Sequence, residues 1–177
     1  MSDITLSSML TATVTVFLSL LFARAAWHKI SEFTEFTGFV ADYRLLPEAL
    51  VGPASFGLAG AEVLVVVLQL VPGGQVAGLS LAMALLSLYG MAMGVNILRG
   101  RTAIECGCGG PVQPLSWSNV IRNATLVAAG AAAVSTAPYA LDAGGAIAAL
   151  ACGFTIWAGF ILLEQILANS ATARLTR

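Results

Sequence analysis

Two cysteines separated by one glycine give this chain its clearest potential for chemistry. Cys106 and Cys108 lie in the run ECGCGG at positions 105–110, and the chain has only three cysteines. Thiols at i and i+2 can join if the backbone bends, and Gly107 between them removes the side chain that would resist bending. The closed ring is small, so we expect a strained disulfide that is easily reduced. Strained, accessible disulfides are typical of catalytic or labile sites.

The neighbours of this pair bear on its reactivity. Gly109 and Gly110 leave the loop open to the backbone of another protein. Glu105 opposes a thiolate, whereas three nearby cations would stabilise one. Those cations are Arg99, Arg101 and Lys29.

Two other interpretations of the run stay open. A closed zinc site needs four ligands, and the chain has one histidine and no second cysteine pair beside the loop. A soft ion such as Cu(I) or Hg(II) accepts two thiolates, and a glycine-rich turn with incidental cysteines needs no ligand at all. We favour redox chemistry and expect no bound metal. The third cysteine, Cys152, is predicted to be a small apolar core residue.

The composition indicates an integral membrane protein. Of 177 residues, 58% are hydrophobic and only 10% are charged, which exceeds what a water-soluble domain needs for one core. Eight basic residues against nine acidic ones, with no basic stripe, argue against a nucleic-acid partner. Lipid, a membrane-soluble molecule or another protein is the expected partner.

Five apolar segments are long enough to cross a bilayer, which takes about 20 helical residues. They are residues 4–28, 53–71, 76–98, 117–136 and 143–167. An amphipathic helix over residues 31–46, ended by Pro47, is predicted to lie flat at the interface. Because backbone exposed to lipid must satisfy its own hydrogen bonds, we predict a single all-α helical bundle in the membrane.

Most polar residues of these segments fall in one half of the membrane. With five crossings, the loops after the first and third segments share a side, called side B, which therefore carries the ECGCGG run. The residues expected beneath it, toward side B, are Arg24, His28, Lys29, Glu62, Asn96, Arg122, Asn123, Glu164 and Gln165.

Glu62 is the strongest candidate among them for a functional role. An ionisable residue inside a spanning helix is costly unless it is paired or hydrated, so its default interpretation is functional. We expect Arg24 or Arg122 to pair with Glu62, whereas His28 and Lys29 are placed at the mouth of the first helix. A purely structural role for these ion pairs stays open.

A combination of short motifs resembles the MauE family of methylamine utilisation membrane proteins, within the wider DoxX-like group. The resemblance covers most of the chain, and the combination of motifs is more specific than any one of them. The matching features are His28-Lys29, the phenylalanines from 33 to 39, Tyr43-Arg44-Leu45-Leu46-Pro47, a glutamate in the second segment, Cys106 to Gly109, Ser116-Trp117 and Arg122-Asn123.

The resemblance implies a bacterial inner-membrane protein that acts beside a thioredoxin-like periplasmic partner, MauD, in making the disulfide-rich small subunit of methylamine dehydrogenase. A looser similarity to DsbB and vitamin K epoxide reductase implies electron transfer to a quinone, although those proteins use two cysteine pairs. On this basis Cys106 and Cys108 are the expected catalytic pair. The residues expected to bind quinone or relay protons are Arg24, His28, Lys29, Glu62, Arg122 and Asn123.

The orientation of the chain is predicted differently by two criteria. Lysine and arginine concentrate on side B, so the positive-inside rule makes that side cytoplasmic. The family resemblance instead implies a periplasmic ECGCGG run, and we favour that orientation. With the opposite orientation, the alternatives are a transmembrane thiol relay working in the reducing direction or, without catalysis, a membrane scaffold for the thioredoxin-like protein.

Overall fold

The structure is a computed structural model that describes residues 2–105, 107, 114–135 and 141–175, with side chains from Leu6 to Asn169 within those ranges. Cys106, Cys108, Gly109 and Gly110 lie outside the described residues. The described part of the chain forms a helical bundle, which confirms the predicted all-α fold class. Its helices are α1 (Ser2–Ser31), α2 (Phe33–Asp42), α3 (Glu48–Leu70), α4 (Gln75–Leu98), α5 (Trp117–Ser135) and α6 (Ala143–Leu175).

Four helices of the described chain are long and apolar enough to cross a membrane. They lie in α1, α3, α4 and α6 and cover Leu6–Ser31, Glu48–Leu70, Gln75–Leu98 and Ala143–Asn169. Five spans were predicted, and the segment at residues 117–136, which forms the 19-residue helix α5, is not among these four. The first half of α5 carries Asn119, Arg122 and Asn123, and these polar side chains lower its hydropathy.

Helix α5 nevertheless runs beside the other long helices. Near its start, Asn123 Nδ2 donates to the Leu86 carbonyl of α4 at 3.2 Å. Near its end, the Ala133 carbonyl accepts a hydrogen bond from Thr11 Oγ1 of α1 at 3.4 Å. Since Thr11 lies in the first half of α1, α5 is antiparallel to α1 and extends along the bundle.

The long helices alternate in direction. Ser19 of α1 bonds Gln69 of α3, and Lys29 bonds Glu62, so the numbering of the two helices runs in opposite senses. Helix α6 runs parallel to α1, and a Cβ added at Gly153 would lie 2.6 Å from Val16 Cγ1. This close approach is the reason that only glycine fits there. The ends of α1, α4 and α6 therefore meet at one end of the bundle, as the alternation of spans predicted.

Several helix boundaries differ from the prediction. Helix α3 begins at Glu48 rather than 53, with Pro47 as its N-cap and Pro53 inside it. Helix α6 continues eight residues beyond the predicted 167, to Leu175. The interfacial helix was predicted over 31–46, but α2 ends at Asp42 and Arg44 then takes a positive φ of 47°. A left-handed residue interrupts helical hydrogen bonding, so the helix ends before Pro47.

Candidate functional site

A buried ion pair joins the end of α1 to the middle of α3. Lys29 Nζ lies 2.7 Å from Glu62 Oε1, and the two side chains are only 3% and 1% exposed. Lys29 occupies the last turn of α1, but it points into the bundle instead of toward the interface. Its predicted place at the end of the first helix is confirmed, and the burial of its side chain is the feature that the sequence did not indicate. The pair satisfies the condition under which charges are tolerated in the apolar interior.

Tyr89 of α4 completes a three-residue cluster that sequence reasoning missed. Its hydroxyl donates to the same Glu62 Oε1 at 2.8 Å. The Lys29 ammonium also lies 5.1 Å from the Phe36 ring centroid and 5.4 Å from that of Tyr89, within the range of cation–π attraction. The sequence feature that could have identified Tyr89 is its position as a lone tyrosine in the apolar run of α4. Among the described residues, none hydrogen-bonds the buried Glu62 Oε2.

A second charged cluster lies between α1, α5 and α6. Glu164 pairs with Arg122, and Arg24 Nη1 lies 3.9 Å from Glu164 Oε2. The expectation that Arg24 or Arg122 pairs with Glu62 is therefore wrong. Arg24 and Lys29 are five residues apart, which separates them by about 140° around a helix axis. Lys29 consequently faces α3, whereas Arg24 faces α6.

A small polar cavity of about 50 Å³ lies between the two charged clusters. Its volume suffices for a few water molecules, since each buried water needs about 10–15 Å³ of cavity volume and several polar partners. Five of the six predicted binding residues line it, namely Arg24, Lys29, Glu62, Arg122 and Asn123, together with Tyr89 and Glu164. The structure thus brings together residues from five helices.

His28 is the predicted binding residue that stands apart from this group. Its ring is 43% exposed, and Nδ1 lies 3.4 Å from Glu32 Oε2 on the same helical face. It lines neither the polar cavity nor the apolar cavity described next. This position fits an interfacial residue.

A larger apolar cavity of about 400 Å³ lies on the other side of Lys29 and Tyr89. Helix α2 forms its roof, and α3 and α4 form its floor. The remaining lining residues are Phe36, Phe39, Val40, Tyr43, Leu45, Leu46, Ala54, Gly57, Leu58, Leu88, Ala92 and Gly107. Its volume is within the range of small-molecule sites, about 300–1,000 Å³.

The central glycine of the cysteine pair reaches this apolar cavity. Gly107 has a φ of +66°, and a Cβ added there would lie 3.3 Å from Phe39 Cβ of α2. A left-handed φ and this contact together favour glycine. The predicted role of Gly107 in closing a disulfide between its neighbours stays a prediction. Cys106 and Cys108 flank a residue that packs against the cavity roof.

Backbone contacts close the base of the cysteine loop. Glu105 and Pro114 form an antiparallel bridge, and the Leu115 amide donates to the carbonyls of Thr102 at 3.1 Å and Ile104 at 3.2 Å. Leu115 is 3% exposed and packs in a small core with Tyr43. The loop therefore begins and ends at a fixed point beside α2.

Arg101 links this loop base to α2. Its guanidinium donates to the Asp42 carbonyl at 2.8 Å and the Tyr43 carbonyl at 3.3 Å, and to Asn96 Oδ1 at 3.2 Å. The last carbonyls of a helix have no intrahelical donors, and arginine supplies them here. The expectation that Arg101 and Lys29 stabilise a thiolate stays a prediction, because Cys106 and Cys108 lie outside the described residues.

The third cysteine does not have its predicted environment. Cys152 is a free, exposed thiol on α6, so the expectation of a core residue is wrong. The adjacent Gly153 faces α1, and neighbours on a helix differ by about 100° in direction. Cys152 therefore faces away from that contact.

No group of three or more His, Cys, Asp or Glu residues suited to a metal occurs within the described ranges. Cys106 and Cys108 lie outside those ranges, so the absence of a metal at the loop stays a prediction.

Comparison with known proteins gives one consistent result. A family model described as "Methylamine utilisation protein MauE" matches residues 7–137. The chain is 37% identical over 145 residues to "Methylamine utilization protein MauE" of Paracoccus denitrificans, covering 81% of this chain and 78% of the relative. A protein of the same description from Methylorubrum extorquens is 36% identical over 174 residues, covering 94% of each chain. No solved structure matches.

Proposed function

The chain belongs to the MauE family of methylamine utilisation proteins, and we propose that it acts there as a membrane thiol-disulfide oxidoreductase through Cys106 and Cys108. The observation that carries this proposal is the contact of Gly107 with the roof of the apolar cavity. A loop that carries two thiols is thereby joined to a site of ligand size. Lys29, which pairs with the buried Glu62, lines that site.

The proposed reaction exchanges one disulfide for another. A thiolate of a reduced thioredoxin-like protein of the MauD type attacks the Cys106–Cys108 disulfide, forms a mixed disulfide and releases one loop thiolate. The partner's second thiolate then resolves the mixed disulfide. The partner leaves oxidised, and the loop pair has gained two electrons. The oxidised partner in turn serves the disulfides of the methylamine dehydrogenase small subunit.

A quinone is the proposed acceptor of those electrons, and the apolar cavity has the features that such a ligand requires. Its walls are almost entirely apolar, as a lipid-soluble ring requires, and Lys29 and Tyr89 supply cationic and hydroxyl groups at its inner end. The residues present therefore fit such a ligand. When bound, a quinone supplies an acceptor for two electrons and two protons.

The buried charged residues have separate tasks in this proposal. Lys29 offers hydrogen-bond donors to a ligand oxygen, because Glu62 occupies one of the three N–H groups of its ammonium. Tyr89 holds Glu62 in place by donating to Oε1. Glu62 Oε2 accepts a proton from the polar cavity, since no described residue hydrogen-bonds it.

The four membrane-crossing candidates and the family membership agree with a multi-pass membrane protein. We place it in the bacterial inner membrane with the cysteine loop in the periplasm, where disulfides form and persist. The positive-inside count favours the opposite orientation, so the orientation has to be measured together with the reaction.

Thiol labelling of intact cells tests both the orientation and the redox state of the loop. The experiment uses the Cys152→Ser variant, in which Cys106 and Cys108 are the remaining cysteines. An impermeant maleimide is expected to label these two cysteines from outside the cell, and only after reduction. Labelling only after lysis contradicts periplasmic oxidation and favours the reducing relay.

The catalytic step is tested by Cys106→Ser and Cys108→Ser, with Cys152→Ser as the matched control. Loss of disulfide formation in the dehydrogenase small subunit is expected for the two loop variants alone. Unchanged disulfide formation in the two loop variants would rule out thiol catalysis and favour the scaffold role. Metal that co-purifies with the protein and disappears in the loop variants would favour a soft-metal site.

A further inference from the structure

The apolar cavity reaches the surface of the bundle at Gly57 of α3 and Leu88 of α4. Both residues line the cavity. Gly57 is exposed, with no atom within 4 Å of a Cβ added there, and Leu88 is 46% exposed. There is therefore an opening where a larger residue at position 57 would stand. We call the gap between Gly57 and Leu88 the lateral opening.

The lateral opening faces the hydrocarbon region. The surface around it carries Phe56, 75% exposed, and Met91, 62% exposed, besides Leu88 itself. Gly57 lies nine residues into α3, about 14 Å along the helix axis. Both helices are among the membrane-crossing candidates. Lipid chains, and not water, therefore surround the opening.

Among the described side chains that line the cavity, Lys29 supplies the hydrogen-bond donors, and Tyr89 lies beside it with its hydroxyl proton donated to Glu62. The lining residues near the lateral opening are Ala54, Gly57, Leu58 and Ala92. A ligand that enters from lipid must be apolar over most of its surface, since a charged molecule would lose its hydration. It gains a hydrogen bond from Lys29 only if its leading end carries an acceptor oxygen.

We infer that the cavity binds a lipid-soluble molecule with a ring-sized, oxygen-bearing head and an apolar tail, which enters from the bilayer between α3 and α4. The head lies at Lys29 and Tyr89, and the tail passes out beside Gly57. This inference rests on the proposed function, in which the bound molecule accepts the electrons of the cysteine pair. Gly57 then borders the entry from lipid, so a larger residue there obstructs it.

Gly60 supplies a matched control for Gly57. It is exposed on the same helix, one turn farther along, and a Cβ added there also meets no atom within 4 Å. It does not line the cavity. The same substitution at the two positions changes helix propensity and lipid-facing surface equally, but only the one at Gly57 fills the lateral opening.

The test uses a decyl-tailed benzoquinone with a photoactivatable group on its tail, added to the purified protein in nanodiscs. Labelling is expected on α3 and α4 near Phe56 and Leu88. Gly57→Leu and Gly57→Phe are expected to lower affinity by about tenfold or more, the equivalent of about 1.4 kcal/mol of steric cost. Gly60→Leu and Gly60→Phe are expected to leave it unchanged. If the phenylalanine variants do not fold, the comparison is made between the two leucine variants.

Equal labelling of the Gly57 and Gly60 variants would overturn the inference, as would labelling confined to α5 and α6. Unlabelled decyl benzoquinone is expected to compete, whereas decylbenzene, which lacks the oxygens, is not. Equal competition by both would also overturn it, because the cavity would then be a general lipid site. The labelling does not need the thiols, so the double variant Cys106→Ser/Cys108→Ser is expected to retain it. A result against the thiol reaction can therefore be distinguished from a result against ligand entry at the lateral opening.

Discussion

Lys29 Nζ lies 2.7 Å from Glu62 Oε1 in a position where neither side chain is more than 3% exposed. The contact links the end of α1 to the middle of α3. Two opposite charges in an apolar interior depend on each other, because either one alone would lack compensation. The pair therefore couples the integrity of the bundle to the chemistry of the site.

Removing one member of this pair should be more harmful than removing both. We expect Glu62→Gln or Lys29→Met to lower the free energy of unfolding by about 3 kcal/mol, because each leaves a buried group without its partner. The double variant Lys29→Met/Glu62→Leu should recover a large part of that loss. Thermal unfolding in detergent measures these differences. Glu32→Gln is the control, since that carboxylate is 52% exposed and its loss should change little. A double variant less stable than either single variant would contradict the coupling.

The two arginines around Glu164 should differ in importance. Arg122 makes the close contact, whereas Arg24 Nη1 is 3.9 Å away and its side chain is 32% exposed. We expect Arg122→Gln to destabilise the protein more than Arg24→Gln, and Glu164→Gln most, because it leaves two like charges facing each other. Thermal unfolding at low and high salt measures this order. An Arg24 variant at least as unstable as the Arg122 variant would contradict the geometry.

Gly107 should tolerate alanine poorly. Its φ of +66° costs an ordinary residue about 1–2 kcal/mol, and the added Cβ would press on Phe39. We expect Gly107→Ala to slow disulfide formation in the small subunit and to lower the unfolding temperature. Gly38→Ala in α2 is the control, because its Cβ would meet open space and alanine favours the helix by about 0.5–1 kcal/mol. Equal behaviour of the two alanine variants would show that Gly107 does not carry this constraint.

Arg101 should control the local stability of the loop base. We expect Arg101→Met to speed hydrogen exchange at the amides of Tyr43 and Leu115 by about tenfold, the equivalent of about 1.4 kcal/mol, because the last carbonyls of α2 lose their donors. Hydrogen exchange read by mass spectrometry measures the change. Arg99→Met should leave both amides unaffected, since Arg99 is exposed. Uniform faster exchange over the whole bundle would indicate global destabilisation instead.

Much of the fold was predictable because hydropathy and length act locally. Runs of apolar residues of about 20 residues must be helical in lipid, and four such runs have that form. The boundaries of α3 and α6 were predicted less well. Helix α3 begins five residues before Pro53, which lies inside it, and α6 continues to Leu175. The fourth segment formed its helix, α5, but Asn119, Arg122 and Asn123 in its first half leave it outside the four membrane-crossing candidates.

The sequence by itself determined that the charged residues would gather at one end of the bundle, because that follows from depth along each helix and from alternating directions. Tertiary structure decided which residues pair, since pairing depends on the direction each side chain takes around its helix axis. Lys29 thus contacts Glu62, whereas Arg24 and Arg122 contact Glu164. The apolar cavity and its opening at Gly57 also required the structure. Their shape arises from space left between three helices, and no local pattern in the sequence encodes such space.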